Sequence, residues 1–290
     1  MMKNINDAPN TGANRSQWLA RRRKGIGGSD TASLLGLSKY SSPYIIWADK
    51  TGKLPEKDDT PQMRLGRDLE AYVAERFTEQ TGLKTRRDGR TITNQQYPYS
   101  YAHIDRRIVG QSTGLECKTC SPYRSGEFDE HEYPIEYYTQ ALHYLAITGW
   151  DKWYIAVLIL DGTFQVYEIL RQDVLAEINE LQEQITFFWE SFVLTDTPPP
   201  MDGKKATTDA LSQVHNTTKD AEITLNHLEN HCFEILSLEK QVKEIQSQIE
   251  RRKQEIKQAM GKNILAKLGA WFASWKPNKK GVRSFKLKIG

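Results

Sequence analysis

Apolar positions along the chain follow two different periods. Spacing of three to four residues marks helices over 60–81, 134–148 and 171–195. Residues 152–160 and 163–170 are strand-like, and Asp161-Gly162 between them signals a tight hairpin. Shorter segments near 84–94, 100–109 and 114–119 also read as strands. Ser29 is placed to cap a short helix over 30–35 that stops at Gly36. Pro43 opens a helix over 42–51 that Gly52 closes, and Gly82 and Gly149 end the two longer ones. Helices flanking a run of strands predict an α/β domain with a mixed central sheet.

The pattern breaks at Asp196-Thr-Pro-Pro-Pro-Met-Asp-Gly203, where three prolines cannot continue a helix. A first domain over 1–203, a linker over 204–218 and an extension over 219–290 follow from this break. In the extension, Leu228, Ile235, Val242, Ile249 and Ile256 recur every seven residues, with Leu238 and Ile245 three after two of them. That seam predicts one long coiled-coil-like helix over 219–260. The last twenty residues read as two strands around Pro277-Asn-Lys-Lys-Gly281.

Composition narrows the class. The chain has 290 residues, 38% hydrophobic and 27% charged, enough for a core without staples. Its longest apolar run, Trp153 to Leu160, is too short to span a bilayer, so no membrane association is expected. The polar start, Met1 to Gly12, has no apolar signal core, and three cysteines are too few for a disulfide scaffold; a cytoplasmic protein is expected. The net charge of +3 hides an asymmetry. Positions 261–290 hold eight Lys and Arg residues and no acid, with Trp271, Phe272, Trp275 and Phe285 among them. Cations interleaved with aromatics suit a polyanion with stackable bases, and equally a solvated tail with a small core.

Chemistry concentrates in four short stretches. Glu70 shares its helix face with Leu69, Val73 and Phe77. Taken alone it fits half of a buried salt bridge with an arginine. Asp105 alternates with Ile104 on a strand and by itself reads as an exposed residue. Glu116 and Lys118 fall on one face of the next strand, the arrangement of a surface cross-pair. Gln140 shares a helix face with Tyr137, Ala141 and Tyr144, where an amide needs partners. Phosphodiester hydrolysis accounts for the whole set. Magnesium takes hard oxygen ligands, which Asp105, Glu116 and the Cys117 backbone carbonyl would supply, with Glu70 completing the site or holding a second metal or a metal-bound water. Lys118 offsets charge on the reacting phosphate and Gln140 orients Lys118 or a water.

In this order the stretches Gly25-Ile-Gly-Gly-Ser-Asp30, Leu65-Gly-Arg-Asp-Leu-Glu70, Ala102-His-Ile-Asp105, Leu115-Glu-Cys-Lys118 and Tyr137-Tyr-Thr-Gln140 resemble the PD-(D/E)XK nuclease superfamily, within it the YqaJ-type viral recombinases related to phage lambda exonuclease. The likeness covers 18 to about 195. It implies a restriction-endonuclease-like α/β fold and a magnesium-dependent 5′→3′ exonuclease on double-stranded DNA, with manganese as a substitute. It also implies 3′ single strands passed to an annealing protein, a homo-oligomer that is a ring-shaped trimer in known members, and a phage or prophage origin. An endonuclease or nickase on the same fold, and a non-catalytic DNA-binding or assembly protein, are the alternatives.

A 5′ phosphate needs its own site. Gly27 and Gly28 let backbone approach an anion, and Ser29 opens a helix with free N–H groups. The family pattern sets the phosphate-binding arginine seven residues before the serine, at Arg22, with Arg21 and Arg23 as neighbouring registers. Cys117-x-x-Cys120 has only Cys232 left to join it, so no four-ligand zinc site is expected.

Overall fold

The computed structural model describes residues 22–56, 58–129 and 132–290; the polar N-terminal stretch and Arg21 lie outside the described residues. After a single turn of 3-10 helix, α1 (Thr31–Leu34) leads to α2 (Pro43–Lys50) and α3 (Pro61–Thr81). Ser42 and Thr60 cap the latter two, accepting from the backbone N–H groups of Ile45 and Met63. Gly82 takes the left-handed conformation that ends α3.

Strands β1 (Thr85–Arg87), β2 (Ile92–Thr93), β3 (Tyr101–Ala102), β4 (Arg106–Ile108) and β5 (Thr113–Cys120) follow. Helix α4 (Ile135–Thr148) crosses over to β6 (Lys152–Ile159), and the Asp161-Gly162 turn returns the chain as β7 (Phe164–Leu170). Helix α5 (Leu175–Phe188) closes the layer. The central sheet runs β1-β4-β5-β6-β7, with β5 and β6 parallel and the other pairs antiparallel. The expected strand over 100–109 is interrupted at His103-Ile104-Asp105: β3 pairs with β2, and β4 joins the main sheet.

Alternation along the strands builds two cores. Trp153, Ile155, Val157 and Ile159 face α4 and α5 in the larger one. Ile108, Leu115 and Ala156 face Val73, Ala74 and Phe77 of α3 in the smaller. Two layers of helix therefore enclose one sheet, as the apolar pattern implied.

The linker expected over 204–218 is not one. Residues Lys205–Val214 form α6, with Thr207 and Ala210 buried. The Thr207 hydroxyl donates to Asp202 Oδ1 at 2.7 Å and lies 2.8 Å from Ser42 Oγ at the start of α2. The prolines stop a helix, but after Gly203 small and apolar residues resume helical spacing, and that short face docks. The two compact units accordingly divide between Thr218 and Lys219.

In the second unit, α7 (Glu229–Met260) starts ten residues later than the heptad predicted, after a polar stretch with Asp220, Thr224 and Asn226, whose side chains favour local turns. Its seam residues Ile235, Leu238, Val242, Ile245 and Ile249 are exposed. Beyond it, β8 (Leu265–Leu268), β9 (Trp271–Pro277) and β10 (Arg283–Ile289) make an antiparallel sheet of three strands, one more than the hairpin expected. Among the described residues no helix is long and apolar enough to cross a membrane.

Gly114 of β5 lies under Trp153 of β6; a methyl group there would stand 2.2 Å from the indole ring. Gly114→Ala is expected to cost roughly 1–3 kcal/mol by overpacking. Gly89→Ala, with nothing within 4 Å, is the neutral control. Urea midpoints of the two variants check this.

Candidate active site

Strand β4 ends opposite Leu115, where Arg106 pairs with it, while β5 continues to Cys120. Past Leu115, the β4 side of β5 has no strand partner among the described residues. The Cys117 N–H on that side donates instead to Asp105 Oδ2 at 2.9 Å. N–H and C=O of one strand residue point to the same edge, so the Cys117 carbonyl faces the same opening. The break in the 100–109 strand thus places Asp105: its carboxylate ends the ladder in place of a backbone carbonyl.

Glu116 and Lys118 project to the α4 side, as period-2 alternation requires. Neither makes a surface cross-pair, since Glu116 is buried at 5% exposure. Glu116 Oε1 accepts from Lys118 Nζ at 2.7 Å and from Gln140 Nε2 at 2.6 Å. Gln140 Oε1 accepts from Lys118 Nζ at 2.9 Å, and Gln140 Nε2 also donates to the Tyr144 hydroxyl at 2.8 Å. The Lys118 ammonium also lies 5.1 Å from the Tyr137 ring centroid. Glu116 Oε2 is buried and has no hydrogen-bond partner among the described residues.

Charge in this cluster is unbalanced. Burial, then the neighbouring Glu116 carboxylate, pushes the Asp105 carboxyl well above the usual range, with Lys118 opposing. Burial disfavours the Lys118 ammonium, but Glu116 and Asp105 outweigh it and raise its pKa. Burial followed by the same two carboxylates holds the Tyr144 hydroxyl neutral. A dication beside Asp105 and Glu116 would relieve this excess and give the orphaned Glu116 oxygen a partner, so the donor set fits a hard cation. Among the described residues no three His, Cys, Asp or Glu side chains are grouped to hold an ion. Two carboxylates, a carbonyl and waters are what magnesium ordinarily accepts.

Glu70 lies beside this set. Its carboxylate binds the Arg106 guanidinium, which also donates to the Asp105 backbone carbonyl at 2.9 Å. The salt bridge with an arginine is realised, and Glu70 still adds its field to Asp105. Arg106 was missed in the sequence, although it directly follows Asp105. Tyr144, on the Gln140 face, was noticed only as a neighbour. His143 was also missed: its Nε2 donates to the Tyr101 carbonyl at 2.9 Å, and burial lowers its pKa to about 4, which keeps it neutral. It ties α4 to the strand that leads into Asp105.

The glycine turn lies against the same cluster. A Cβ on Gly28 would sit 2.8 Å from the Tyr144 ring and 3.0 Å from Gln140 Cγ. Ser29 does not cap the helix. It is exposed within the 3-10 turn, where Asp30 Oδ2 accepts from the Gly27 N–H at 3.1 Å, and neither side chain caps the N–H groups of α1. The turn is short and carries the Asp30 carboxylate, so its dipole offers an anion little. Arg22 Nη2 reaches Ser29 Oγ at 3.5 Å and Asp30 Oδ1 at 3.8 Å. Arg23 turns away to the Leu54 carbonyl at 3.4 Å. Lys50, buried at the end of apolar α2, binds Asp30 Oδ2 at 2.7 Å and the Arg22 carbonyl at 3.0 Å. A lysine closing a helix that is apolar apart from Asp49 was the signal for that pair.

Cys117, Cys120 and Cys232 are all free thiols. Burial, then Asp105, raises the Cys117 pKa, so it is no ready thiolate ligand.

Known proteins share this chain's pattern. Residues 17–151 match the model of the YqaJ-like viral recombinase domain. The chain is 36% identical over 276 residues to the uncharacterized protein YqaJ of Bacillus subtilis (strain 168), covering 93% of this chain and 86% of that one. Among solved structures it is similar to an alkaline exonuclease from Laribacter hongkongensis, at 17% identity and a TM-score of 0.49 over 62% of this chain and 93% of that one. A phage-related exonuclease from Haemophilus somnus is similar at 11% identity and a TM-score of 0.46, over 60% of this chain and 96% of that one. With a relative alike over nearly its whole length, this chain belongs to the YqaJ-like viral recombinase family.

Proposed function

We propose that this protein is a magnesium-dependent exonuclease that digests one strand of duplex DNA from its 5′ end. Its product would be a 3′ single strand for an annealing protein, and several copies would encircle the duplex. One observation carries the reading: Glu116 is buried with one oxygen held by Lys118 and Gln140 and the other unpartnered, beside an Asp105 that burial and charge hold in tension. A binding module gains nothing from burying like charges against phosphate. Membership of a viral recombinase family supports DNA as the substrate.

Asp105, Glu116 and the Cys117 carbonyl would hold the ion. Magnesium in such a site lowers the pKa of a bound water and neutralises charge on the scissile phosphate. Lys118 stays protonated between Glu116 and Gln140 and offsets negative charge developing on the phosphate oxygens. Gln140 fixes the Lys118 rotamer through its carbonyl while its amide clamps Glu116, so the amine and carboxylate keep one spacing. Arg106 anchors the Asp105 backbone from the Glu70 side. At the terminus, Arg22 and Ser29 meet beside Gly28, whose lack of a side chain leaves Gln140 and Tyr144 in place. A 5′ phosphate would be received there, with Arg22 as the bidentate clamp.

The decisive test is linear duplex carrying one 5′-phosphorylated end, with and without magnesium, beside a closed circle. Magnesium-dependent nucleotide release from the phosphorylated strand alone is expected, with the circle intact. A nicked or linearised circle would favour the endonuclease reading. Lys118→Ala is expected to bind the duplex like the parent and lose about 10²–10³ in kcat; unchanged single-turnover rates would remove Lys118 from the chemistry.

The Asp105 shift has a defined sign. An acid whose folded pKa is raised adds stability at pH below its unfolded value and loses it as pH rises through the folded one. Metal-free protein should therefore be strained at pH 8, and Asp105→Asn should raise its Tm there in EDTA. Magnesium should raise the wild-type Tm and leave the variant's unmoved, read by differential scanning fluorimetry. Equal magnesium shifts in both would strike Asp105 from the ligand set.

A further inference from the structure

The register of the C-terminal sheet sorts its residues onto two unlike faces. Phe285, Leu287 and Ile289 of β10 pair with Trp275, Ala273 and Trp271 of β9, giving one face an apolar surface. Ala273 on it is fully buried, and Arg283 lies 3.7 Å over the Trp275 ring while donating to the Gly261 and Asn263 carbonyls. At its Trp275 end this face is covered by Arg283 and by Lys257, whose ammonium lies 5.7 Å from the Phe285 ring centroid, while Trp271, Leu287 and Ile289 at its other end are exposed.

The opposite face is cationic. Lys288 lies across from Phe272, and Lys267 of β8 lies across from it on the other side. In the next rows Lys286 pairs with Ser274, and Lys276 pairs with Ser284. Four lysines therefore share one side of three strands, and none has an ion pair with a carboxylate among the described residues. No acid occurs anywhere in 261–290 to neutralise them. Uncompensated lysines a strand apart repel one another, a cost a solvated tail would spread out and a sheet cannot. Phe272, in the middle of the first row, is 44% exposed. The Lys267 ammonium lies 6.0 Å from its ring centroid.

We propose that this face, Lys267, Phe272, Lys276, Lys286 and Lys288, binds single-stranded DNA. The lysines match a chain of phosphates, and the open ring between Lys267 and Lys288 offers a stacking platform that only an unpaired base can reach. Duplex DNA presents the same phosphates with its bases shielded, and an anionic lipid surface has no flat ring to stack. On the exonuclease reading, on which the choice of DNA as ligand rests, this strand is the enzyme's own product. A grip on it outside the cleavage site would hold the enzyme to the substrate between cuts.

The test uses the full chain in EDTA, so that binding is read without cleavage, by anisotropy of labelled oligo(dT) across a salt series. K267Q/K276Q/K286Q/K288Q is expected to weaken binding at least ~10-fold and to flatten the slope of log K against log salt by roughly 3, at about 0.7 for each phosphate no longer neutralised. Phe272→Leu, which keeps the apolar bulk, is expected to weaken oligo(dT) and leave a blunt duplex of equal length unaffected. Unchanged oligo(dT) affinity and slope in the lysine variant, with melting curves like the parent's, would overturn the proposal. So would equal losses on duplex and single strand in Phe272→Leu, or binding to phosphatidylserine vesicles with none to oligo(dT). Magnesium-dependent nucleotide release, measured in parallel, distinguishes failure of this face from failure of the exonuclease reading: cleavage without oligo(dT) binding sinks only the former, and the reverse sinks only the latter.

Discussion

A single hydrogen bond organises the candidate centre: the Cys117 N–H donates to the Asp105 carboxylate where β4 has ended and β5 has not. A buried N–H without a partner costs about as much as a lost hydrogen bond. Ending β4 early would carry that cost if nothing replaced its carbonyl. The side chain that replaces it is an acid, and it arrives facing the same opening as the Cys117 carbonyl. What would otherwise be a defect in a sheet becomes two oxygen donors at one point. The rest of the arrangement answers the charge so introduced. Arg106 steadies the Asp105 backbone, and Lys118 offsets the two carboxylates from the α4 side.

The helices contribute unequally. On one face α3 supplies apolar packing and Glu70, whose carboxylate is engaged by Arg106. On the other, α4 supplies Gln140, Tyr144 and His143 from successive positions of one buried face. A crossover helix between parallel strands lies over the strand it has just left, so residues near its start meet residues in the middle of β5. Gln140 meets Glu116 and Lys118 for that topological reason.

Much of this was legible in the residues. The caps at Ser42, Thr60 and Gly82 and the Asp161-Gly162 turn are local chemistry, and they lie where local rules put them. The grouping of Glu116, Lys118 and Gln140 was legible because alternation on a strand and a helix face fixes direction. Three features were not. The interruption before Asp105 depends on which strand β4 finds, a long-range choice. The helix Lys205–Val214 is hidden behind prolines whose effect ends at Gly203. Ser29 makes no cap, and the acid beside it is held instead by a buried lysine from α2, which no local window contains.

The positions of the donors along the chain carry a further consequence. Asp105 and Cys117 are twelve residues apart and meet across an antiparallel pair, which can close early in folding. Gln140 reaches Glu116 only once α4 has packed on the sheet, a contact twenty-four residues long against the twelve that separate Asp105 from Cys117. Until then Lys118 lacks the amide that fixes its rotamer. The Lys118 rotamer is thus set by the packing of the crossover helix, after the local closure that places Asp105.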